Sequence, residues 1–225
     1  MRKNSGIPII ALILAGMRDS YSQGFVNLNF EAANTTGYPT FGSVPAATAI
    51  PSWAAYTFDQ FGTITQSQIV YNAISTGGAL VGLVDTNGSL HPTPLQGRYS
   101  VLLEASQGGT PTTAAIGQTG QVPLSALSLL FYTSLDSTIQ VAFNGQPIAL
   151  VQTGATANYA IMAGNISAFA GLTGQLLFSA SPNYGYGLID NIQFSSSPVP
   201  EPNVLALSAL AGLLLRLRSR KKPKL

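Results

Sequence analysis

The side chains that could carry chemistry in this sequence are few. Nine of its ten Lys and Arg residues precede Gln23 or follow Pro200. Between those limits stand one histidine, His91, one arginine, Arg98, and six carboxylates, Glu31, Asp59, Asp85, Glu104, Asp136 and Asp190, with no lysine. The chain has no cysteine, so thiol nucleophiles, thiolate metal sites and disulfides are all excluded. General acid-base or nucleophilic catalysis needs a poised base, and His91 lies in Leu90-His91-Pro92-Thr93-Pro94, a proline-flanked loop. A glycosidase-like carboxylate pair, Glu104 with Asp136 or Asp85, is the remaining enzymatic option, and spacing alone marks no such pair. One histidine without cysteine makes a poor zinc site, and no glycine-rich phosphate loop links a strand to a helix. No catalytic residue is assigned, and the reading is of a protein that is not an enzyme.

Asp190 is the most informative carboxylate. In Leu188-Ile189-Asp190-Asn191-Ile192-Gln193-Phe194 it shares the phase of Leu188, Ile192 and Phe194, so on a strand it points to the apolar side. A buried carboxylate must be hydrogen-bonded, metal-bound or neutralised. Aromatic rings are the other candidates. Trp53, the only tryptophan, is either a core plug or a sugar-stacking platform. Tyr184 and Tyr186, in Asn183-Tyr184-Gly185-Tyr186-Gly187, fall in a glycine-rich loop and are ligand candidates unless the loop folds them inward.

The elements that must position these groups read as strands. Short runs of β-branched and aromatic residues, separated by Gly, Pro, Asn and Ser, predict an all-β, antiparallel β-sandwich of jelly-roll type over residues 23–195. Residues 25–31 alternate and form the clearest first strand, and 79–85, 99–105, 127–133, 138–143 and 175–180 continue the theme. Asn144-Gly145 predicts a type I′ hairpin turn, with Pro147 confining the following strand to a sheet edge. Residues 165–169 read as one helical turn capped by Asn165, the only helix in the domain, and 32–51 as a long wrapping loop. Six carboxylates against one arginine give this domain a charge near −5, which argues against a nucleic-acid partner.

Both ends read as processing segments. Arg2 and Lys3, an apolar stretch over 7–16, and small residues at Ser20 and Ser22 predict a signal helix over 1–22, cleaved by signal peptidase after Ser22. At the other end a Ser-rich linker from 196 leads to Val199-Pro200-Glu201-Pro202. A hydrophobic helix over 204–217 follows, including Val204, Leu205, Leu207, Leu210, Leu213, Leu214 and Leu215, and then the basic residues Arg216, Arg218, Arg220, Lys221 and Lys222. This is a short membrane anchor whose basic end stays cytoplasmic, leaving the domain outside.

The order of Pro200-Glu201-Pro202, an apolar segment and a terminal Arg/Lys cluster resembles the PEP-CTERM sorting signal of Gram-negative bacteria. The resemblance implies an exosortase-like membrane protease as partner, cleaving near the motif after the tail has held the chain in the membrane. It implies an exported protein bound for the cell envelope or extracellular space. A second resemblance concerns the body. Asn29-Phe30-Glu31, Pro51-Ser52-Trp53, Arg98-Tyr99-Ser100-Val101-Leu102-Leu103 and Gly187-Leu188-Ile189-Asp190-Asn191-Ile192 are similar to segments of galactose-binding-like jelly rolls, the group that includes carbohydrate-binding modules. In that light Glu31 and Asp190 would hold a structural calcium with backbone carbonyls, and hydrogen-bonded strand-end carboxylates are the alternative. No other cofactor is implied. Two functions follow: a non-enzymatic surface or matrix protein without soluble ligand, or a module that binds envelope or extracellular polysaccharide.

Overall fold

The computed structural model describes residues 24–59, 62–75, 77–87, 92–106, 112–180 and 185–199. The signal segment, Tyr184, His91, the Pro200-Glu201-Pro202 motif, the apolar anchor and the basic end all lie outside the described residues. Among the described residues no helix is long and apolar enough to cross a membrane.

Apolar side chains at alternating positions dictate strands, and the described chain is almost entirely strand. In order these are β1 (Ser43–Pro45), β2 (Ala54–Asp59), β3 (Gly62–Gln66), β4 (Gln68–Tyr71), β5 (Leu80–Val84), β6 (Ser100–Glu104) and β7 (Thr113–Gln121). They continue with β8 (Ser128–Thr133), β9 (Ile139–Phe143), β10 (Gln146–Ile148), β11 (Leu150–Ala155), β12 (Ala160–Asn165), β13 (Thr173–Ala180) and β14 (Tyr186–Ser195). They form an eight-stranded sheet, β1-β4-β5-β6-β14-β8-β12-β11, packed on a six-stranded one, β10-β9-β13-β7-β2-β3. Every ladder is antiparallel except β4 with β5. The expected all-β sandwich of jelly-roll type is therefore what this chain folds into.

The core fills the space between the sheets and is organised by aromatic rings. Trp53 packs on Phe30 and Phe178, with ring centroids 5.7 and 6.1 Å away, and Phe131 meets Phe178 edge-on at 5.2 Å. The hairpin at Asn144-Gly145 forms as expected: both residues take positive φ (47° and 76°), as a type I′ turn requires. β10, with Pro147, is an edge of its sheet. At Ala149 the chain then crosses to the other sheet and begins β11. Ser167–Phe169 forms a single 3₁₀ turn, and the Asn165 side chain accepts the Ser167 N–H at 3.0 Å.

Three expectations need correction. Residues 25–31 are not a strand. Only Gly24 makes a bridge, to Gln121, and Asn27 and Phe30 take left-handed φ of 51° and 57°, which no strand tolerates. A side chain replaces the missing ladder: Gln118 Oε1 accepts the Val26 N–H (2.7 Å) while its Nε2 donates to the Val26 carbonyl (3.0 Å). The stretch 32–51 is not all loop, since it contains β1 and a one-turn helix, α1 (Ala46–Ala49), whose Ala46 and Ala49 are buried. Finally, Asp190 and Ile192 do not share a face. The register of β14 on β8 slips between Asp190 and Gln193, a bulge in which Asn191 has φ 45°. Before the bulge Leu188 and Asp190 face the outside of the eight-stranded sheet; after it Ile192 faces the core.

Candidate functional site

Two places bring together groups that could bind something, one on the outside of each sheet.

On the eight-stranded sheet the bulge aims Asp190 outward beneath residues 95–99, where it is only 1% exposed. Its Oδ2 accepts from Ser100 Oγ (2.7 Å) and the Gln96 N–H (3.1 Å), and its Oδ1 from the Asn191 N–H (2.6 Å). Glu31 reaches the same place from the irregular 27–32 segment, which the Ile192 N–H ties down through the Leu28 carbonyl (2.9 Å). Glu31 Oε1 accepts the N–H groups of Arg98 and Tyr99 (2.8 and 3.2 Å), and no described residue donates to Oε2. Gly97, at φ +62°, lets Glu31 approach, because a Cβ there would stand 2.2 Å from Oε1. Both carboxylates, with Asn29, Gln96, Gly97 and Asn191, line a cavity of about 230 Å³. Burial pushes the Asp190 carboxyl up to about 6; the hydrogen bonds from Ser100, Asn191 and Gln96 oppose the shift, and the Glu31 charge adds to it.

These residues fit a calcium ion. The donors are all oxygen, two carboxylates face one cavity, and their mutual repulsion is what a divalent cation would relieve. Among the described residues no group of three His, Cys, Asp or Glu side chains gathers, so amide and backbone oxygens would complete the shell.

On the six-stranded sheet, Ala55, Ile116, Leu176, Phe178 and Val141 face the core. Their alternating neighbours Tyr56, Phe58, Gln175, Leu177, Gln140 and Ala142 therefore face outward. Tyr56 and Phe58 are half-buried rings, and Gln175 Nε2 donates to Tyr56 Oη at 3.3 Å. The floor between them is small. Tyr56 lies directly opposite Ala115, and a Cβ at Gly117 would meet Tyr56, Gln175 and Leu177 at 3.2 Å each. Tyr56, Phe58, Thr63, Gln175 and Leu177 border a depression of about 170 Å³. A second, of about 410 Å³, opens at the β9–β10 edge, between the outward-facing Gln140, Ala142, Pro147 and Ser179 and the core side chains Ile139, Val141, Ile148 and Leu150. The run from β3 to β10 spans roughly 24 Å at ~4.8 Å per strand and carries no charged side chain among the lining residues.

Of the predicted site residues, the structure brings Glu31 and Asp190 together. It withdraws Trp53 from ligand contact: the ring is 4% exposed, packed on two phenylalanines, and its Nε1 donates to the Asn27 carbonyl at 3.0 Å. Tyr186 is not in a loop but begins β14 opposite Glu104, with its ring exposed. Of the suggested carboxylate pairs, Asp85 with Glu104 does not assemble. Leu80 pairs with Glu104 and Val84 with Ser100, so Asp85 and Glu104 sit at opposite ends of the β5–β6 ladder. That is roughly 16 Å at ~3.3 Å per residue, beyond the ~5–9.5 Å that glycoside hydrolysis uses. Glu104 turns instead to the Ser75 N–H (2.7 Å), and Asp136 stands exposed in the turn after β8. Sequence reasoning missed Tyr56 and Phe58, although Ala54-Ala55-Tyr56-Thr57-Phe58 places both rings on the face opposite the core residue Ala55.

No protein-family model and no curated protein matches the chain. Among solved structures it is similar to the enzymatically active domain of tailspike protein 4 from bacteriophage CBA120. That match has 15% identity and TM-score 0.41 and covers 77% of this chain, which spans about a fifth (21%) of the tailspike chain. It is also similar to the carbohydrate-binding module TmCBM61, solved with β-1,4-galactotriose, at 16% identity and TM-score 0.38 over 77% of this chain and 97% of that one. A family 11 carbohydrate-binding module from Clostridium thermocellum, solved with a β-1,3-1,4-mixed-linked tetrasaccharide, matches at 11% identity and TM-score 0.37 over 69% and 95%. Likenesses this distant assign no residue and no ligand to this chain.

Proposed function

We propose that this protein is an exported, non-catalytic module that binds a neutral polysaccharide on the outer face of its six-stranded sheet. The observation that carries the reading is the pair of half-exposed rings, Tyr56 and Phe58, beside the Gln175 amide on a floor of small residues. Rings offer sugar C–H faces an apolar surface, while amides and hydroxyls answer sugar hydroxyls. An uncharged platform about 24 Å long suits an extended neutral chain better than a charged ligand.

The cradle of Glu31 and Asp190 serves this module as a structural calcium site. The ion would neutralise two facing carboxylates and fasten the 27–32 segment to β14 and to residues 95–99. Export and sorting are read from the ends: a cleaved leader, then a PEP-CTERM-like tail that holds the protein in the membrane until an exosortase-like protease acts near Glu201.

Affinity electrophoresis through gels containing neutral β-glucans, galactans or mannans tests the binding reading. The wild type should be retarded in at least one gel, and Tyr56→Ala with Phe58→Ala should lose at least tenfold in affinity, about 1.4 kcal/mol. Wild-type mobility unchanged in every gel, or retardation unaffected in the double variant, would overturn it. Tyr186→Ala in the same gels reports whether that exposed ring adds a contact.

A further inference from the structure

The sandwich has two unlike ends. At one, the turns around 122–127 and 170–172 meet, where the Val122 N–H donates to Leu172 (3.0 Å) and the Gly171 N–H to Val122 (3.0 Å). Both turns push leucines into solvent: Leu124 is 85% exposed, Leu172 50% and Leu127 38%. Gly171, at φ +77°, makes room for this arrangement, since a Cβ there would stand 2.6 Å from Leu124 Cδ2. Single exposed leucines are ordinary; three at one end that carries no charge make a contact surface. None of residues 121–128, 165–173 and 195–199, which build this end, is charged. The opposite end also exposes apolar side chains, Leu135 (48%), Ile74 (43%) and Tyr186 (41%), but there they stand among carboxylates: Asp59 at the close of β2, Glu104 at the close of β6 and Asp136 in the turn after β8.

Both ends of the described chain leave from the leucine end. Gly24 bridges Gln121, the Leu127 N–H donates to the Ser195 carbonyl (2.8 Å), and Ser128 Oγ donates to the Ser197 carbonyl (2.7 Å). The sequence then continues, after 200–203, into the apolar run 204–215, whose only polar member is Ser208, and the basic cluster. Residues 199–203 reach at most about 18 Å at ~3.6 Å per residue.

We infer that the leucine end is a membrane-contact surface: with 204–215 in a bilayer, the sandwich stands on this end with Leu124, Leu172 and Leu127 in the interfacial layer. This rests on the tail-anchoring reading of the proposed function. Lipid fits better than the tail or a second copy. The 204–215 run is apolar all round, so laying it on three leucines would leave most of its surface in water. An uncharged end costs little to desolvate, and standing this way holds the carboxylates at the far end away from anionic headgroups. The carbohydrate platform then rises side-on from the membrane.

Because the chain lacks cysteine, single-cysteine labelling is clean. Full-length Leu124→Cys, Leu172→Cys and Asp136→Cys variants carrying a bimane label would be mixed with vesicles of phosphatidylcholine and phosphatidylglycerol, 3:1, and floated on a density gradient. The proposal expects co-flotation, with emission from positions 124 and 172 shifted to the blue and quenched by headgroup-proximal doxyl lipids, and emission from 136 unchanged. Flotation with position 124 still emitting as in water overturns the proposal and leaves anchoring intact. Failure to float overturns both. Blue-shifted emission at 124 before vesicles are added means that the tail or a second copy covers the leucines, and also overturns it.

Discussion

Asp85 and Asp190 are both buried at the eight-stranded sheet, and their surroundings differ in one respect. Asp85 has four donors: Asn72 Nδ2 (2.7 Å) and the Asn87 N–H (2.8 Å) on one oxygen, Tyr71 Oη (2.5 Å) and Asn87 Nδ2 (2.7 Å) on the other. Burial alone would raise its carboxyl, yet the bonds from Tyr71, Asn72 and Asn87 hold it below the ordinary carboxylate value. Asp190 has three donors and faces a second carboxylate across a cavity, and it is pushed up to about 6. A closed set of donors makes a carboxylate a structural bolt; an incomplete set beside another negative charge is where a cation would bring relief.

The largest effect should come from removing the bolt. Asp85→Ala strands two buried donors, Tyr71 Oη and Asn72 Nδ2, and frees the exposed Asn87. It should cost about 3 kcal/mol in urea unfolding at pH 7.5 with chelator, whereas Asp190→Asn should cost less than about 1 kcal/mol. Equal losses would erase the distinction. Next in size is the pH response of metal-free protein. The folded Asp190 carboxyl titrates near 6 against 3.8 unfolded, so stability should climb as pH falls from above 6 to about 4, by roughly 3 kcal/mol at ~1.4 kcal/mol per unit. Asp85 works the other way: its contribution is present above 3.8 and fades as the pH drops below that value. A flat profile between pH 7 and 4.5 would show that Asp190 is not the strained group. The smallest effect is calcium itself. At a hundredfold excess over Kd it should add about 2.7 kcal/mol, some 5–10 °C in Tm, and flatten the rise between pH 7 and 4.5. Glu31→Gln should abolish that gain, and an equal gain in Glu31→Gln would place the ion elsewhere.

The parts of the fold that local chemistry decides were legible in the residues. Asn144-Gly145 specified its turn, Pro147 its edge, and the runs of Leu, Val and Phe in β6, β8 and β9 their strands. β7, Thr-Ala-Ala-Ile-Gly-Gln-Thr-Gly-Gln, was not legible, because its small residues make sense only under Tyr56 and Leu177 from other strands. The alternation of Val26, Leu28 and Phe30 misled because the segment packs on the core through Phe25, Leu28 and Phe30, with left-handed turns at Asn27 and Phe30 breaking the period of two. Asp190 was recognisable as a buried acid that needs a partner. Its true face was hidden by the bulge at Asn191, which shows only as a slip in pairing with β8.

The position of β14 has a mechanical consequence. The strand that leads to the tail lies inside its sheet, paired with β6 on one side and β8 on the other, and antiparallel to both. Tension arriving through residues 196–199 while a ligand holds the opposite sheet pulls β14 along its own axis, loading both ladders together in shear. The attachment at Gly24, a single bridge, would instead peel away one bond at a time. Under the proposed anchoring and binding, force would be borne by the longest of the described strands.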